Sequence, residues 1–432
     1  VRSQSDGERA MNLNYRRKKR ERHHAASQDD DSASSPHLEH LLVPRGDAQL
    51  VASATELQEV LEHVRAQGIF AYDTEFIGEE SYWPRICVVQ IATTERVILV
   101  DAVAVPDLAP IFELVADPEL LTLVHAGTQD LEPVRRILGR EPSNTLDVQV
   151  AAAFAEMPWP AGLEKLVERF AGHKISKGHT FTNWDARPLS ASQLRYAADD
   201  VRYLPLVWER LRTELERRGS LDWAMRECEQ SGKIPARFDE ESQIRRTLKS
   251  CPMKPTQIPT LRLLTRLRDT IARTEDLPHR VVMPDETLAE MVKQRPSTVQ
   301  QLSALRGFPK RFAQKYGDEI AQAIDEGGKL PPEKLPHGKL TEETGEDRAR
   351  IDALLAIASA RCIAMGLAPG MVLTRGDLSR WWMSRETSAP IPLFDAGDWR
   401  IEAFGQWLET FLKGDAIVSI SWRDGRPFLA DS

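Results

Sequence analysis

No stretch of the chain approaches the roughly 18 to 20 consecutive apolar residues that a helical membrane span requires, so a helix through a bilayer is not expected. Cysteine is scarce. Cys87, Cys228, Cys251 and Cys362 stand far apart, with no pair at metal-finger spacing, which speaks against a disulfide framework or a zinc ribbon and leaves reduced, mostly buried thiols. The first residues are polar and charged rather than signal-like, and the cytoplasm is the expected compartment. Net positive charge is lacking as well. A formal charge of −8 argues against a general polyanion binder, because neutralising phosphates takes locally concentrated Lys and Arg. One window reverses the average: from Met291 to Gly317 there is no Asp or Glu, but there are Lys293, Arg295, Arg306, Lys310, Arg311 and Lys315.

What the chain does have is acidic residues in distinctive local settings. In Ile69 to Phe76, residues Phe70, Tyr72, Thr74 and Phe76 alternate with Ala71, Asp73 and Glu75, the period of a β-strand, which puts Asp73 and Glu75 on one side. Leu121 to Ala126 is a short apolar run into a small-residue turn, and Asp130 then opens a helix carrying Leu131, Val134 and Leu138. Farther on, Ser190 and Gln193 form a capping box ahead of a stripe of Leu194, Ala197, Val201 and Leu204. Tyr196 and Asp200 are four apart there and share a helical face. Asp199 is turned by about 100° from Asp200 and reads as a solvent-facing acid.

Taken alone, an Asp-x-Glu pair is more often a solvated strand end, and a lone Tyr is more often packing. Four converging carboxylates would repel: at an effective dielectric of about 20, each like-charge pair at about 4 Å costs roughly 4 kcal/mol. A divalent cation would relieve that. Oxygen-only ligands select hard ions such as Mg²⁺ or Mn²⁺, and two such ions about 3.5 to 4 Å apart suit in-line phosphodiester hydrolysis.

These blocks resemble a known family, the ribonuclease D type of DEDDy 3′-to-5′ exoribonucleases. Asp73-Thr74-Glu75-Phe76 with Tyr82-Trp83-Pro84-Arg85 to Gln90 is similar to its first motif, and His125-Ala126-Gly127-Thr128-Gln129-Asp130-Leu131 to its second. Asn183-Trp184-Asp185-Ala186-Arg187-Pro188-Leu189 through Tyr196 to Val201 is similar to its third. The resemblance implies that Asp73, Glu75, Asp130 and Asp200 are metal ligands for two Mg²⁺ or Mn²⁺ ions, and that Tyr196 orients the attacking water. Relatives of the histidine type carry His five residues before the last Asp; Arg195 stands there, which favours the tyrosine subgroup. Phe76, Gln90, His125, Asn183 and Trp184 fall inside the motifs as candidate substrate contacts. Arg306, Lys310, Arg311 and Lys315 are candidate contacts in the basic window.

The expected organisation is a disordered polar tail over 1–46, an α/β ribonuclease-H-like exonuclease domain (a mixed sheet flanked by helices) over 47–220, and a connecting helix and linker over 221–255. An all-α helical domain over 256–328 is similar to the HRDC domain, named for its occurrence in helicases and ribonuclease D. A linker over 329–345 and a divergent second HRDC-like region over 346–432 follow, the last ending in a β-hairpin. Segment 172–188, with His173, Lys174, Lys177, Gly178 and His179, reads as a loop ahead of the third motif's helix.

The resemblance implies release of nucleoside 5′-monophosphates from RNA 3′ ends, with tRNA precursors or other structured RNAs as partners and a monomer as the working unit. A DNA proofreading-type exonuclease and a catalytically inactive nucleic-acid adaptor are the alternatives. Removing residues 256–432 is expected to weaken binding to structured RNA more than it slows cleavage of a short oligonucleotide.

Overall fold

In the computed structural model the described residues are 38–78, 80–175, 183–234, 237–333, 343–385, 392–414, 418–423 and 426–431. Most of the expected tail, the Lys177-Gly178-His179 loop and much of the 329–345 linker lie outside them. The remainder from His40 onward forms one unit.

The exonuclease part is built on a six-stranded mixed sheet. Strands β1 (Gln49–Val51), β2 (Ile69–Ile77), β3 (Arg85–Ala92), β4 (Val97–Asp101), β5 (Leu121–Val124) and β6 (Thr145–Asp147) lie in the order β1-β4-β3-β2-β5-β6. β2, β3 and β4 form an antiparallel meander, while β5 and β6 continue the sheet parallel to β2. The three-residue β1, paired parallel to β4, is too short for periodicity to reveal it.

Helices close both faces. α1 (Ala54–Gln67) starts where the Ser53 hydroxyl accepts the Glu56 N–H and ends at Gly68 with φ +72°; its buried Leu57, Val60, Leu61 and Val64 form a stripe at helical spacing. With α2 (Ala109–Val115) and α3 (Thr128–Leu138) it covers Phe70, Tyr72, Val89, Ile91, Ile98 and Val100. The opposite face, with Val88 and Leu99, packs under Ala197 of α4 (Ala191–Arg202) and under Trp184. Asp73 and Glu75 project on that second face, toward α4.

Packing at the N-terminal edge reaches back before residue 47. Val43 is buried, and the buried Arg202 guanidinium donates to the Pro44 and Gly46 carbonyls at 2.8 and 3.0 Å.

The helical part comprises α5 (Leu204–Arg218), α6 (Leu221–Ser231), α7 (Glu240–Ser250), α8 (Ile258–Glu275), α9 (His279–Val282), α10 (Asp285–Gln294), α11 (Val299–Ala304) and α12 (Lys310–Lys329). α8 and α10 to α12 enclose a core of Leu261, Leu264, Ile271, Leu288, Met291, Leu302, Phe312 and Ile320. A last region holds α13 (Gly345–Ala364), α14 (Pro369–Val372), α15 (Arg375–Ser384), α16 (Gln406–Lys413) and the hairpin β7 (Val418–Arg423) with β8 (Arg426–Asp431). This region folds back on the exonuclease part: Trp399 is fully buried, edge-on to Phe154 at 4.8 Å and stacked on Trp223 at 5.7 Å. The Arg400 guanidinium meets both Glu227 carboxylate oxygens at 2.8 Å. No helix among the described residues is long and apolar enough to cross a membrane.

Candidate active site

The sheet and two helices bring the sequence's acidic positions to one place. Asp73 and Glu75 come from β2, opposite Gln90 and Val88 of β3, and a register shift falls between Glu75 and Phe76. Asp130 comes from the first turn of α3, and Tyr196 and Asp200 from one face of α4, whose Ser190–Gln193 capping box is present as expected.

The turn before Asp130 is forced by its surroundings. Ala126 adopts φ +55°, and a side chain at Gly127 would run into Val124, 2.5 Å from its Cβ. Only glycine fits there. The half-buried Asp147 carboxylate at the end of β6 accepts the N–H groups of Ala126, Gly127 and Gln149 at 3.0, 3.2 and 2.9 Å. Tyr72 then donates its hydroxyl to the Asp130 carbonyl at 3.1 Å, and Thr74 donates to the Asp130 carboxylate at 2.5 Å.

The third motif is held by Arg187. Its guanidinium forks onto Asp101 at 2.6 Å and donates to the carbonyls of Cys87 and Trp184 at 2.9 and 2.8 Å. That fastens segment 183–189 to the ends of β3 and β4 and sets where α4 begins.

Electrostatics tie the four acids together. Burial pushes the Glu75 carboxyl up to about 8, with Asp200 and Asp130 adding to it. Asp73 is raised well above the usual carboxylate range by burial and by Asp130, Asp200 and Glu75. Asp200 is raised by burial against the opposing hydrogen bond from the Tyr196 hydroxyl. That hydroxyl is itself raised by burial and by Asp200, Glu75 and Asp73, so it stays protonated at neutral pH. Among the described residues no three His, Cys, Asp or Glu side chains are already drawn together as a ligand set. The donor set nonetheless fits a hard divalent cation, since four crowded carboxylates driven toward protonation are what such a charge would relieve.

Several sequence expectations change here. Asp199 is not solvent-facing: its side chain is 22% exposed and 3.7 Å from Arg202, and burial raises its pKa to about 6. Regular spacing around a helix does not reveal that a second layer packs on that side. Gln90 is fully buried, with neither amide atom partnered, so a substrate cannot touch it in this conformation. Trp184 is likewise core, 6.1 Å from the Tyr196 ring. His125 Nε2 is engaged at 2.9 Å with the Ala161 carbonyl. Phe76 is partly exposed and Asn183 exposed. In the helical domain Arg306, Lys310 and Arg311 are exposed, whereas Lys315 pairs with Glu275 at 2.5 Å and Lys293 lies 3.9 Å from Glu290. The partners lie outside the acid-free window, where a linear reading does not look. Asp147, Arg187 and Tyr82 were not singled out from sequence; their partners lie up to about two hundred positions away, and no local periodicity marks them.

Comparison with known proteins gives the same architecture. Residues 48–216 match a family model described as 3′-5′ exonuclease, and residues 258–324 match the HRDC domain. Ribonuclease D of Gluconacetobacter diazotrophicus is 34% identical over 89% of this chain and 94% of its own length. Ribonuclease D of Granulibacter bethesdensis is 31% identical over 86% and 94%. The crystal structure of Escherichia coli RNase D, described as an exoribonuclease involved in structured RNA processing, superposes with a TM-score of 0.72 at 25% identity, covering 85% of this chain and 99% of that one. With the exonuclease sheet, the helical domain and identity running through both, the chain belongs to the ribonuclease D family of 3′-to-5′ exoribonucleases.

Proposed function

We propose that this enzyme shortens RNA from its 3′ end by hydrolysis, releasing nucleoside 5′-monophosphates, with Asp73, Glu75, Asp130 and Asp200 as the ligands of two Mg²⁺ or Mn²⁺ ions. The observation that carries the reading is electrostatic: burial raises Asp73, Glu75 and Asp200 together, and Asp130 and Asp200 add to the rise of Asp73 and Glu75. Bound there, divalent cations would neutralise the acids and stabilise the attacking and leaving oxygens of an in-line displacement. The chain's own groups do the rest. Thr74 fixes the Asp130 carboxylate, and Arg187 and the capping box fix the start of α4. Tyr196, protonated and anchored on Asp200, orients the attacking water as a hydrogen-bond partner and does not act as a base.

Structured RNA, and tRNA precursors in particular, is the proposed substrate, acted on in the cytoplasm by a monomer. The E. coli relative's involvement in structured RNA processing supports this, as do the exposed Arg306, Lys310 and Arg311 on the helical domain. Presence of all four acids weighs against an inactive adaptor. The test is purified protein with Mg²⁺ offered a 3′-extended tRNA, an unstructured RNA and single-stranded DNA, with products identified. Stepwise loss of 5′-monophosphates from RNA is expected; preferential degradation of the DNA, or release of 3′-monophosphates, would overturn the assignment.

A further inference from the structure

The loop that leaves the site's central strand is seated in another domain. β2 ends two residues after Glu75, and the connection to β3 carries Tyr82, which is 2% exposed and packs within the helical domain's core beside Val282 and Ile271. Its hydroxyl donates to Asp269 of α8 at 2.7 Å. Asp269 in turn is met by His279 Nε2 at 2.8 Å and by the Arg273 guanidinium at 2.7 Å. Two turns beyond Asp269, at the end of α8, Asp276, held at φ +47°, accepts the backbone N–H groups of Tyr82 and Trp83 on a single oxygen at 3.1 and 3.4 Å. The guanidinium of Arg273 lies over the Tyr82 ring at 5.4 Å, and the His279 ring meets it edge-on at 5.5 Å.

The far end of the loop is tied as well. Arg85, paired with Ile77 across the β2–β3 ladder, bonds Asp185 at 2.8 Å in the segment that Arg187 fastens ahead of α4. A displacement at Tyr82 therefore has two routes to the acids: back along β2 through the irregular register at Glu75 and Phe76, or forward through Arg85 to the segment that launches Tyr196 and Asp200. Closely packed structure of this kind transmits shifts of a few tenths of an ångström, and positioning errors of about 1 Å can cost a hundredfold in rate.

We propose that Tyr82 is a positioning residue through which the helical domain sets the geometry of the carboxylate site, so that turnover depends on that domain even for RNA too short to need its basic surface. The inference rests on the reading of Asp73, Glu75, Asp130 and Asp200 as the reactive centre. It reverses the expectation from sequence that losing residues 256–432 would mainly weaken RNA binding: their removal would expose the Tyr82 side chain and take Asp276 from the Tyr82 and Trp83 N–H groups, leaving the loop held only at its Arg85 end.

The experiment uses the full chain and a short unstructured RNA. Tyr82→Phe keeps the ring and loses the bond to Asp269; Asp276→Ala frees the two loop amides. Each is expected to lower kcat at least fivefold with KM within twofold of wild type, and to raise the Mg²⁺ concentration for half-maximal rate. These are measured well below the melting temperature, with the reactive fraction counted by single-turnover kinetics. A purely structural contact would lower the melting temperature and leave kcat per folded molecule unchanged. Wild-type kcat and Mg²⁺ dependence in both variants overturns the proposal, whatever their melting temperatures. Asp73→Asn runs alongside: if it is inactive while the Tyr82 variant matches wild type, the coupling alone fails, and if it turns over normally, the site reading itself fails.

Discussion

Asp147 holds the backbone of Ala126 in the left-handed region, accepting its N–H at 3.0 Å while also accepting those of Gly127 and Gln149. Three donors converge on one half-buried carboxylate, and the turn it fixes delivers Asp130 to the site four residues later. Asp147→Ala would leave those N–H groups without their acceptor, at about 1 to 3 kcal/mol for each that water cannot reach. Since Ala126 is exposed and the other two bonds are half-buried, the expected outcome is a destabilisation of about 1 to 3 kcal/mol by urea denaturation, together with a fall in turnover of the fraction that folds. Asp147→Asn, which keeps one accepting oxygen, should fall between. A variant at wild-type stability would show that the turn holds itself.

This residue marks the limit of what could be read from the sequence. Alternation placed Asp73 and Glu75 on one side of a strand, and helical spacing placed Tyr196 over Asp200, because both are local periodicities that the backbone enforces. The Ser190–Gln193 box spans three residues and was legible for the same reason. Asp147 is separated from Ala126 by twenty-one positions, Arg187 from Asp101 by eighty-six and Tyr82 from Asp269 by one hundred and eighty-seven. The first two contacts depend on the sheet order β1-β4-β3-β2-β5-β6, and the third on where the helical domain packs against the β2–β3 loop. Asp199 is a mixed case: its partner Arg202 is local, three residues on, but the Pro44 and Gly46 carbonyls that hold Arg202 buried lie more than one hundred and fifty positions away.

The crowded acids make the metal-free protein pH-sensitive. Glu75 has a folded pKa of about 8 against an ordinary 4.5. A carboxyl raised in this way favours the folded state most when protonated, so its contribution is complete below about pH 4.5 and is lost as pH rises through about 8. In EDTA the melting temperature should therefore fall between pH 6 and pH 8. Glu75→Gln should flatten that dependence and raise the melting temperature at pH 8 by several degrees, on the scale of about 2 to 4 °C per kcal/mol. Adding Mg²⁺ should restore wild type and do little for the variant. A wild-type profile parallel to that of Glu75→Gln would mean that folding does not raise the Glu75 carboxyl.

On the helical domain, neighbours and not sequence decide which cations are available to phosphates. Lys315 is already paired with Glu275, while Arg306, Lys310 and Arg311 have no ion pair among the described residues and are exposed. Removing one cation that neutralises a phosphate should flatten the slope of log affinity against log salt by about 0.7 to 0.9. Arg311→Ala or Lys310→Ala should show that change with structured RNA, and Lys315→Ala a smaller one. Equal slopes for all three variants and wild type would move the RNA surface elsewhere.

Tyr196 offers the sharpest test, because it separates the chemistry of the site from its ability to attract cations. Its hydroxyl is bonded to Asp200, and burial together with Asp200, Glu75 and Asp73 holds its pKa above the usual value near 10. Near neutral pH it is therefore a donor, and removing it takes away a positioned hydrogen bond without altering any ligand's charge. Tyr196→Phe is expected to leave Mg²⁺ and RNA affinity within about twofold and to lower single-turnover cleavage by about 10²-fold, a common scale for such a loss. Since the phenol does not titrate in the working range, the rate deficit should be constant from pH 6 to 9. A deficit that grows as pH rises would mean that the phenolate acts as a base, and a loss of RNA affinity matching the loss of rate would make Tyr196 a substrate contact. Cleavage at the wild-type rate would reduce it to packing against Trp184, whose ring lies 6.1 Å away.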